Sequence, residues 1–180
     1  AALCVALTKW LGIDVNSEFE FARKLENFFH GKSSGLDIAV LLNQKPDLYQ
    51  INKDPTLLPI SSLPHFTFHD TGVREQTKVC IDQVTAQLVQ DQKQAEKIDQ
   101  AMKEASQLCL QGLSTYNQNK KAKALLLLTE GMKKAHRCFE SWGLLPLQTK
   151  DLEKKLYQKG ALAVKLTGAG LGGFLTALWE

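Results

Sequence analysis

The densest chemical signal in the chain is the run Glu26-Asn27-Phe28-Phe29-His30-Gly31-Lys32-Ser33-Ser34-Gly35-Leu36-Asp37. Glu26 and His30 are four apart, so a helix carries both on one face. Gly31 and Gly35 free the backbone to turn, and Asp37 is delivered after that turn. A carboxylate presented this way can accept a proton from an alcohol, while a glutamate nearby can bind a hard cation such as Mg²⁺. The same residues also fit a polar helix C-terminus with a glycine cap, followed by an N-capping aspartate. Residue types and spacing alone leave both open.

A second signal is Lys165-Leu166-Thr167-Gly168-Ala169-Gly170-Leu171-Gly172-Gly173. It contains Gly-x-Gly-x-x-Gly, but a dinucleotide fingerprint must open a helix within a βαβ unit. Here strand-like residues, Phe174 to Trp179, follow the glycines. What survives is a strand-turn-strand whose glycines let backbone approach a ligand, or a tight hairpin with none. A third feature, His69-Asp70-Thr71-Gly72-Val73-Arg74-Glu75-Gln76-Thr77-Lys78, reads as a strand-to-helix turn. His65, His69 and His136 form no ligand set and are expected on the surface or hydrogen-bonded. Trp10, Trp142 and Trp179 are expected in the core.

The elements that must position these residues follow from periodicity. A first helix runs to Trp10-Leu11 and stops at Gly12. A second begins at Ser17 with a capping box to Glu20, and Phe21, Leu25 and Phe28 mark its buried face. Short strands are expected at 48–51, 58–60 and 66–68, punctuated by Pro55, Pro59 and Pro64. From Gly72 to Leu144 the pattern is helical, with breaks at 91–94 and 116–120. A last helix spans 149–159, and two strands, 161–166 and 174–179, flank the glycine turn. Helices with a small, mostly antiparallel sheet make an α+β class.

Composition bounds the rest. With 44% hydrophobic and 23% charged residues the chain is an ordinary globular sequence. The net charge of +3 is small, and the lysine pairs lie in helical patterns without interleaved aromatic residues, which argues against nucleic acid. Cys4, Cys80, Cys109 and Cys138 are scattered, with no zinc-ligand spacing. Unpaired thiols, no membrane-span run and no signal peptide point to a cytoplasmic protein. Ala1 to Leu7 opens on an apolar helical pattern already under way, as if an element were cut.

Taken together and in order, these segments resemble the GHMP kinase superfamily, with mevalonate kinases the nearest members. Their pattern is a Glu four residues before His-Gly-x-Pro-Ser-Gly-x-Asp, then a strand-ending Thr with a second Thr six residues on, and finally Lys-Leu-Thr-Gly-Ala-Gly. Glu26, His30 to Asp37, Thr71 with Thr77, and Lys165 to Gly173 fill those slots. The resemblance implies a GHMP kinase C-terminal domain over 47–180, preceded by the tail of an N-terminal domain over 1–46. It implies ATP and Mg²⁺ as cofactors, and phosphorylation of the primary hydroxyl of mevalonate as the activity. By position, Asp37 resembles the catalytic aspartate and Glu26 the Mg²⁺-binding glutamate. His30, Ser34, Gly35 and Thr77 match substrate-binding positions, and Gly168, Ala169 and Gly170 match the motif nearest the phosphates. Positioning, a metal and a group that orients the nucleophile are what phosphoryl transfer requires.

The chain departs from the pattern at Ser33 (Pro in the family), Ile38 (often Asn in mevalonate kinases), Glu75 (a basic residue) and Leu171 (a glycine). Those departures keep a phosphomevalonate kinase or a GHMP sugar kinase as alternatives. The resemblance further implies a missing N-terminal kinase half that carries the phosphate loop, without which these 180 residues are expected to be inactive. The expected partners are that half and a small-molecule alcohol, with no nucleic acid and no membrane, and a homodimer is left open. A reading from another class is a non-catalytic helical interaction module; a nucleotide-dependent oxidoreductase is disfavoured by the strand after the glycines. The eleven-residue separation of Glu26 and Asp37 favours the enzyme.

Overall fold

The computed structural model describes residues 1–30, 33–51, 53 and 56–180, with only the backbone of His30. The expected punctuation at Pro55 lies outside the described residues. The chain divides into two compact units, Ala1–Ile60 and Ser61–Glu180.

The first unit is a cluster of helices α1 (Ala2–Trp10), α2 (Glu18–His30) and α3 (Leu36–Asn43), with a short antiparallel ladder of β1 (Asp47–Leu48) and β2 (Thr56–Leu57). Its core is made by Cys4, Val5, Ala22 and Ile38, small and branched side chains that let the three helices approach closely. A 3₁₀ turn, Val15–Ser17, leads into α2. Four expectations change here. The Ser17–Glu20 capping box is replaced by an Asp14 turn. Asp14 accepts the Asn16 amide at 2.9 Å, the Ser17 amide bonds the Asp14 carbonyl at 2.8 Å, and Glu20 pairs with Arg23 at 3.1 Å. The buried side of α2 is Ala22, Leu25 and Glu26, while Phe28 is 86% exposed. Trp10 is 81% exposed, part of an apolar stripe of Leu3, Leu7 and Trp10 on α1 and Leu11 just past it. The strand expected at 58–60 forms earlier, at Thr56–Leu57.

The second unit holds α4 (Thr77–Gln90), α5 (Gln92–Tyr116), α6 (Lys121–Ser141) and α7 (Thr149–Gln158). They accompany a three-stranded antiparallel sheet of β3 (Phe66–Asp70), β4 (Ala163–Leu166) and β5 (Phe174–Leu178) in the order β3-β5-β4. Alternation sorts the strands' two faces. Val164, Leu166, Leu175 and Ala177 pack with Leu156 of α7. Ala163 and Leu178 pack with Leu128 and Met132 of α6. The seam of the α5–α6 pair is lined by Ala105, Gly112, Ala124 and Gly131, residues small enough for close helix contact.

The helix breaks fall where expected: Asp91 ends α4 and caps α5 by accepting the Gln94 amide at 2.9 Å. Asn117, just past α5, fastens the extended segment before β3: its Oδ1 accepts the amides of Ser61 (2.8 Å) and Ser62 (3.0 Å). Trp142 is core, and the partly buried Trp179 donates its indole N–H to Thr67 at 2.7 Å. The buried His136 is hydrogen-bonded, its Nδ1 accepting the Leu166 amide and its Nε2 facing Glu153, each at 3.3 Å. Among the described residues no helix is long and apolar enough to cross a membrane. The α+β class with a small antiparallel sheet is as expected.

Candidate active site

In the first unit, the helix–turn–helix from α2 to α3 holds the two carboxylates of interest. Glu26 is only 6% exposed, unusual for a glutamate, and burial of a charge demands partners. Its Oε1 lies 2.9 Å from the Ala1 nitrogen, and its Oε2 accepts the Ser33 hydroxyl. Ser33 is tied down twice more: its amide donates to Asn27 Oδ1 at 2.7 Å, and its hydroxyl accepts the Gly35 amide at 3.0 Å. Ser34 accepts the Leu36 amide on its Oγ at 3.3 Å, and its carbonyl accepts the Tyr49 hydroxyl at 2.5 Å.

Gly35 then turns the chain into α3 with φ +82°. A Cβ there would sit 2.7 Å from Phe19 Cζ and 3.2 Å from Arg23 Cδ, so both conformation and space require glycine. Asp37 follows in the first turn of α3, exposed, where the helix dipole favours a carboxylate. His30 is the last residue of α2; its side chain, with Gly31 and Lys32, lies outside the described residues. A 730 Å³ cleft lined by Phe19, Arg23, Ala39, Leu42 and Tyr49 opens on the side of α3 away from Asp37, so it is not where Asp37 would act.

In the second unit, Thr77 is the exposed first residue of α4. The glycine turn joins β4 to β5, with Thr167 donating its amide to the Phe174 carbonyl at 2.9 Å. It is clasped to the end of β3: the Thr71 amide and hydroxyl donate to the Gly173 carbonyl at 3.0 and 2.9 Å, and the Gly173 amide donates to the Val73 carbonyl at 2.8 Å. Gly168 and Ala169 form the exposed tip; Gly170 is buried against Leu144. Lys165 turns inward, donating to the Leu166 carbonyl at 2.6 Å and lying 4.5 Å from the Phe139 ring; burial lowers its pKa. Among the described residues no cluster of three metal-ligating side chains exists and the four cysteines are free.

Three groups lay outside the sequence reading. Tyr49 and Asn27 fasten the turn that presents Asp37, and no spacing rule links Tyr49 to Ser34, fifteen residues apart. Arg74 grips Asp70 as a fork, at 2.7 and 2.8 Å, and stands over the Phe174 ring at 5.2 Å. That hydrogen-bonded fork, with the Gly72 amide, holds the Asp70 carboxyl down at about 2. A depressed folded-state pKa means the pair's stabilisation is fully present above about pH 4, the ordinary carboxylate range, and is lost as pH falls towards about 2. Urea midpoints from pH 5 to pH 2 should therefore fall less steeply for Asp70→Asn than for the wild type. An identical slope would remove Asp70 from the acid limb.

No protein-family model and no curated protein sequence matches the chain. Solved structures do. A Lin0012 protein from Listeria innocua superposes with a TM-score of 0.76 and 19% identity, over 98% of this chain and 57% of that one. The L. major mevalonate kinase, solved in complex with R-mevalonate, superposes with a TM-score of 0.68 and 19% identity, over 94% of this chain and 51% of that one. This chain thus spans about half the length of the structures it matches. At that identity the likeness is one of fold: the chain shares with a mevalonate kinase a helix-rich α+β arrangement on a small antiparallel sheet.

Proposed function

We propose that the protein is a GHMP-type small-molecule kinase that transfers the γ-phosphoryl group of ATP to an alcohol, with mevalonate the favoured substrate. One observation carries this reading. A buried glutamate and an exposed aspartate, Glu26 and Asp37, are tied to one turn through the Ser33 hydroxyl, on a fold shared with a mevalonate kinase. In this reading Asp37 orients the substrate hydroxyl and accepts its proton. The surrounding turn supports that role: Gly35 starts α3, and Ser34 is fixed by Tyr49, so the aspartate is held on a rigid helix start.

Mg²⁺ fits the donor chemistry, since it takes one or two carboxylates beside substrate phosphates and does not need an all-protein cage. Glu26 would hold it, and the ion would supply charge neutralisation for the phosphate oxygens. His30, Ser34, Gly35 and Thr77 are proposed for substrate contacts, and Gly168, Ala169 and Gly170 for the phosphates of ATP. The activity is proposed for the whole protein. The exposed stripe Leu3, Leu7, Trp10 and Leu11 is the kind of surface that a further layer of such a fold would cover, which supports a docked N-terminal kinase half.

The family departures separate into packing and recognition. Ile38 is fully buried beside Cys4, Val5 and Ala22, so it serves the core and says nothing against mevalonate. Arg74 is committed to Asp70 and does not replace the basic residue that Glu75 displaces. Phosphomevalonate and sugars therefore stay in the assay. The full-length protein is expected to consume ATP only when mevalonate is added. ATP turnover with phosphomevalonate or a sugar instead would move the substrate, and none with any would remove the kinase reading.

A further inference from the structure

Ser33 occupies a position where the resembling family carries proline, yet it is one of the most heavily bonded polar residues of the first unit. Its hydroxyl donates to Glu26 Oε2 and accepts the Gly35 amide at 3.0 Å, while its own amide donates to Asn27 Oδ1 at 2.7 Å. A proline has neither the amide hydrogen nor the hydroxyl, so none of these three bonds could form with one. The chain amide–hydroxyl–carboxylate is directional, and each bond in such a chain polarises the next. It also joins two things that the sequence separates: the carboxylate on α2 and the helix start that carries Asp37.

We infer that Ser33 is a positioning residue for Glu26: its hydroxyl fixes the plane of the buried carboxylate for a divalent cation and keys that plane to the start of α3. The inference rests on the kinase reading for the identity of the cation as Mg²⁺. Its physical content is that a carboxylate with one oxygen held by a hydroxyl has its other oxygen set in direction; here that oxygen, Oε1, lies 2.9 Å from the Ala1 nitrogen. A carboxylate left to rotate must be ordered each time a metal binds. Partners that orient a ligand in this way are worth about 10–100-fold in metal affinity. Asn27 supports the arrangement from behind, since it holds the backbone of Ser33 and leaves the hydroxyl to Glu26 and Gly35.

The test compares Ser33→Ala, Ser33→Thr and Glu26→Gln in the full-length protein. Two quantities are read: the Mg²⁺ concentration for half-maximal rate, and Mn²⁺ bound in the presence of ATP, counted by electron paramagnetic resonance without turnover. Ser33→Ala should raise both the Mg²⁺ requirement and the Mn²⁺ dissociation constant about 10–100-fold, with kcat recovering at saturating Mg²⁺. Ser33→Thr, which keeps a hydroxyl, should restore both values. Thermal midpoints of the three variants separate loss of fold from loss of metal.

If Ser33→Ala binds Mn²⁺ as the wild type does while Glu26→Gln does not, Ser33 has no positioning role and the kinase reading is untouched. Failure of threonine to restore metal binding overturns the role of the hydroxyl in the same way. Should Glu26→Gln itself leave Mn²⁺ binding unchanged, Glu26 is not the metal ligand, and the metal assignment of the proposed function falls with the inference.

Discussion

Asp37→Asn in the full-length protein should lower turnover by about 10²–10⁴-fold, the usual worth of a positioned general base, while ATP binds as in the wild type. Asparagine matches aspartate in shape but cannot accept the proton or carry the charge. The substitution is also mild for the fold. Asp37 is exposed in the first turn of α3, and the helix start is set by Gly35 and by the Ser34 hydroxyl bonding the Leu36 amide. Only the dipole interaction of a first-turn carboxylate is lost, about 0.3–1 kcal/mol. A coupled ADP assay gives turnover, nucleotide titration gives ATP affinity, and a urea midpoint reports stability. Loss of turnover with the other two preserved is the expected pattern; near-normal turnover would sink the assignment of Asp37.

The second large effect concerns stability. Gly172 has φ +143° and lies against backbone, with the Val73 carbonyl carbon 2.8 Å and the Arg74 nitrogen 3.2 Å from where a Cβ would stand. Neither neighbour is a flexible side chain that could swing away, because the Gly173 amide and the Val73 carbonyl are bonded to one another across this contact. Gly172→Ala should therefore cost about 3 kcal/mol or more, the sum of an unfavourable backbone region and a main-chain clash. The urea midpoint should drop while the slope of unfolding free energy against urea stays constant. Gly168→Ala offers the contrast: its φ is +77° but a Cβ there meets nothing within 4 Å, so its stability cost is strain alone. A Gly172→Ala protein as stable as Gly168→Ala would show that the clasp between β3 and the glycine turn yields freely.

Much of the architecture was legible because its signals are local. Asp91 divides two helices by capping the second, and the last helix starts at Thr149 as its periodicity indicates. The glycines between β4 and β5 were recognisable as a turn because a strand follows them. What failed was burial on α2. Counting apolar residues picks Phe21, Leu25 and Phe28, but the structure buries Ala22 and Glu26, with Leu25 only partly buried against the same core. A carboxylate enters a buried face only with partners, and one of these, Ser33, lies seven residues away beyond the helix end, where periodicity is blind. Trp10 failed for a related reason: its size suggests core, but none of the described residues of the first unit covers its face of α1.

The same lesson holds for the candidate site. Glu26 and Asp37 could be picked out by residue type and spacing, but the groups that hold them could not. Ser33 gave a faint signal as a departure from the family pattern, and Tyr49 gave none, because its bond to Ser34 depends on how the chain returns after α3. The Asp70–Arg74 fork spans four residues, the spacing of neighbours on a helix face, yet it forms across a strand end.

The most direct measurement follows the phosphorus atom itself. Full-length protein, ATP, Mg²⁺ and mevalonate are combined and monitored by ³¹P NMR, alongside the Asp37→Asn variant. The proposed chemistry predicts a new phosphomonoester resonance growing as the γ-phosphate of ATP declines, and its absence in the variant. ATP that remains intact in the wild-type reaction, or that yields only inorganic phosphate, would contradict phosphoryl transfer to the alcohol.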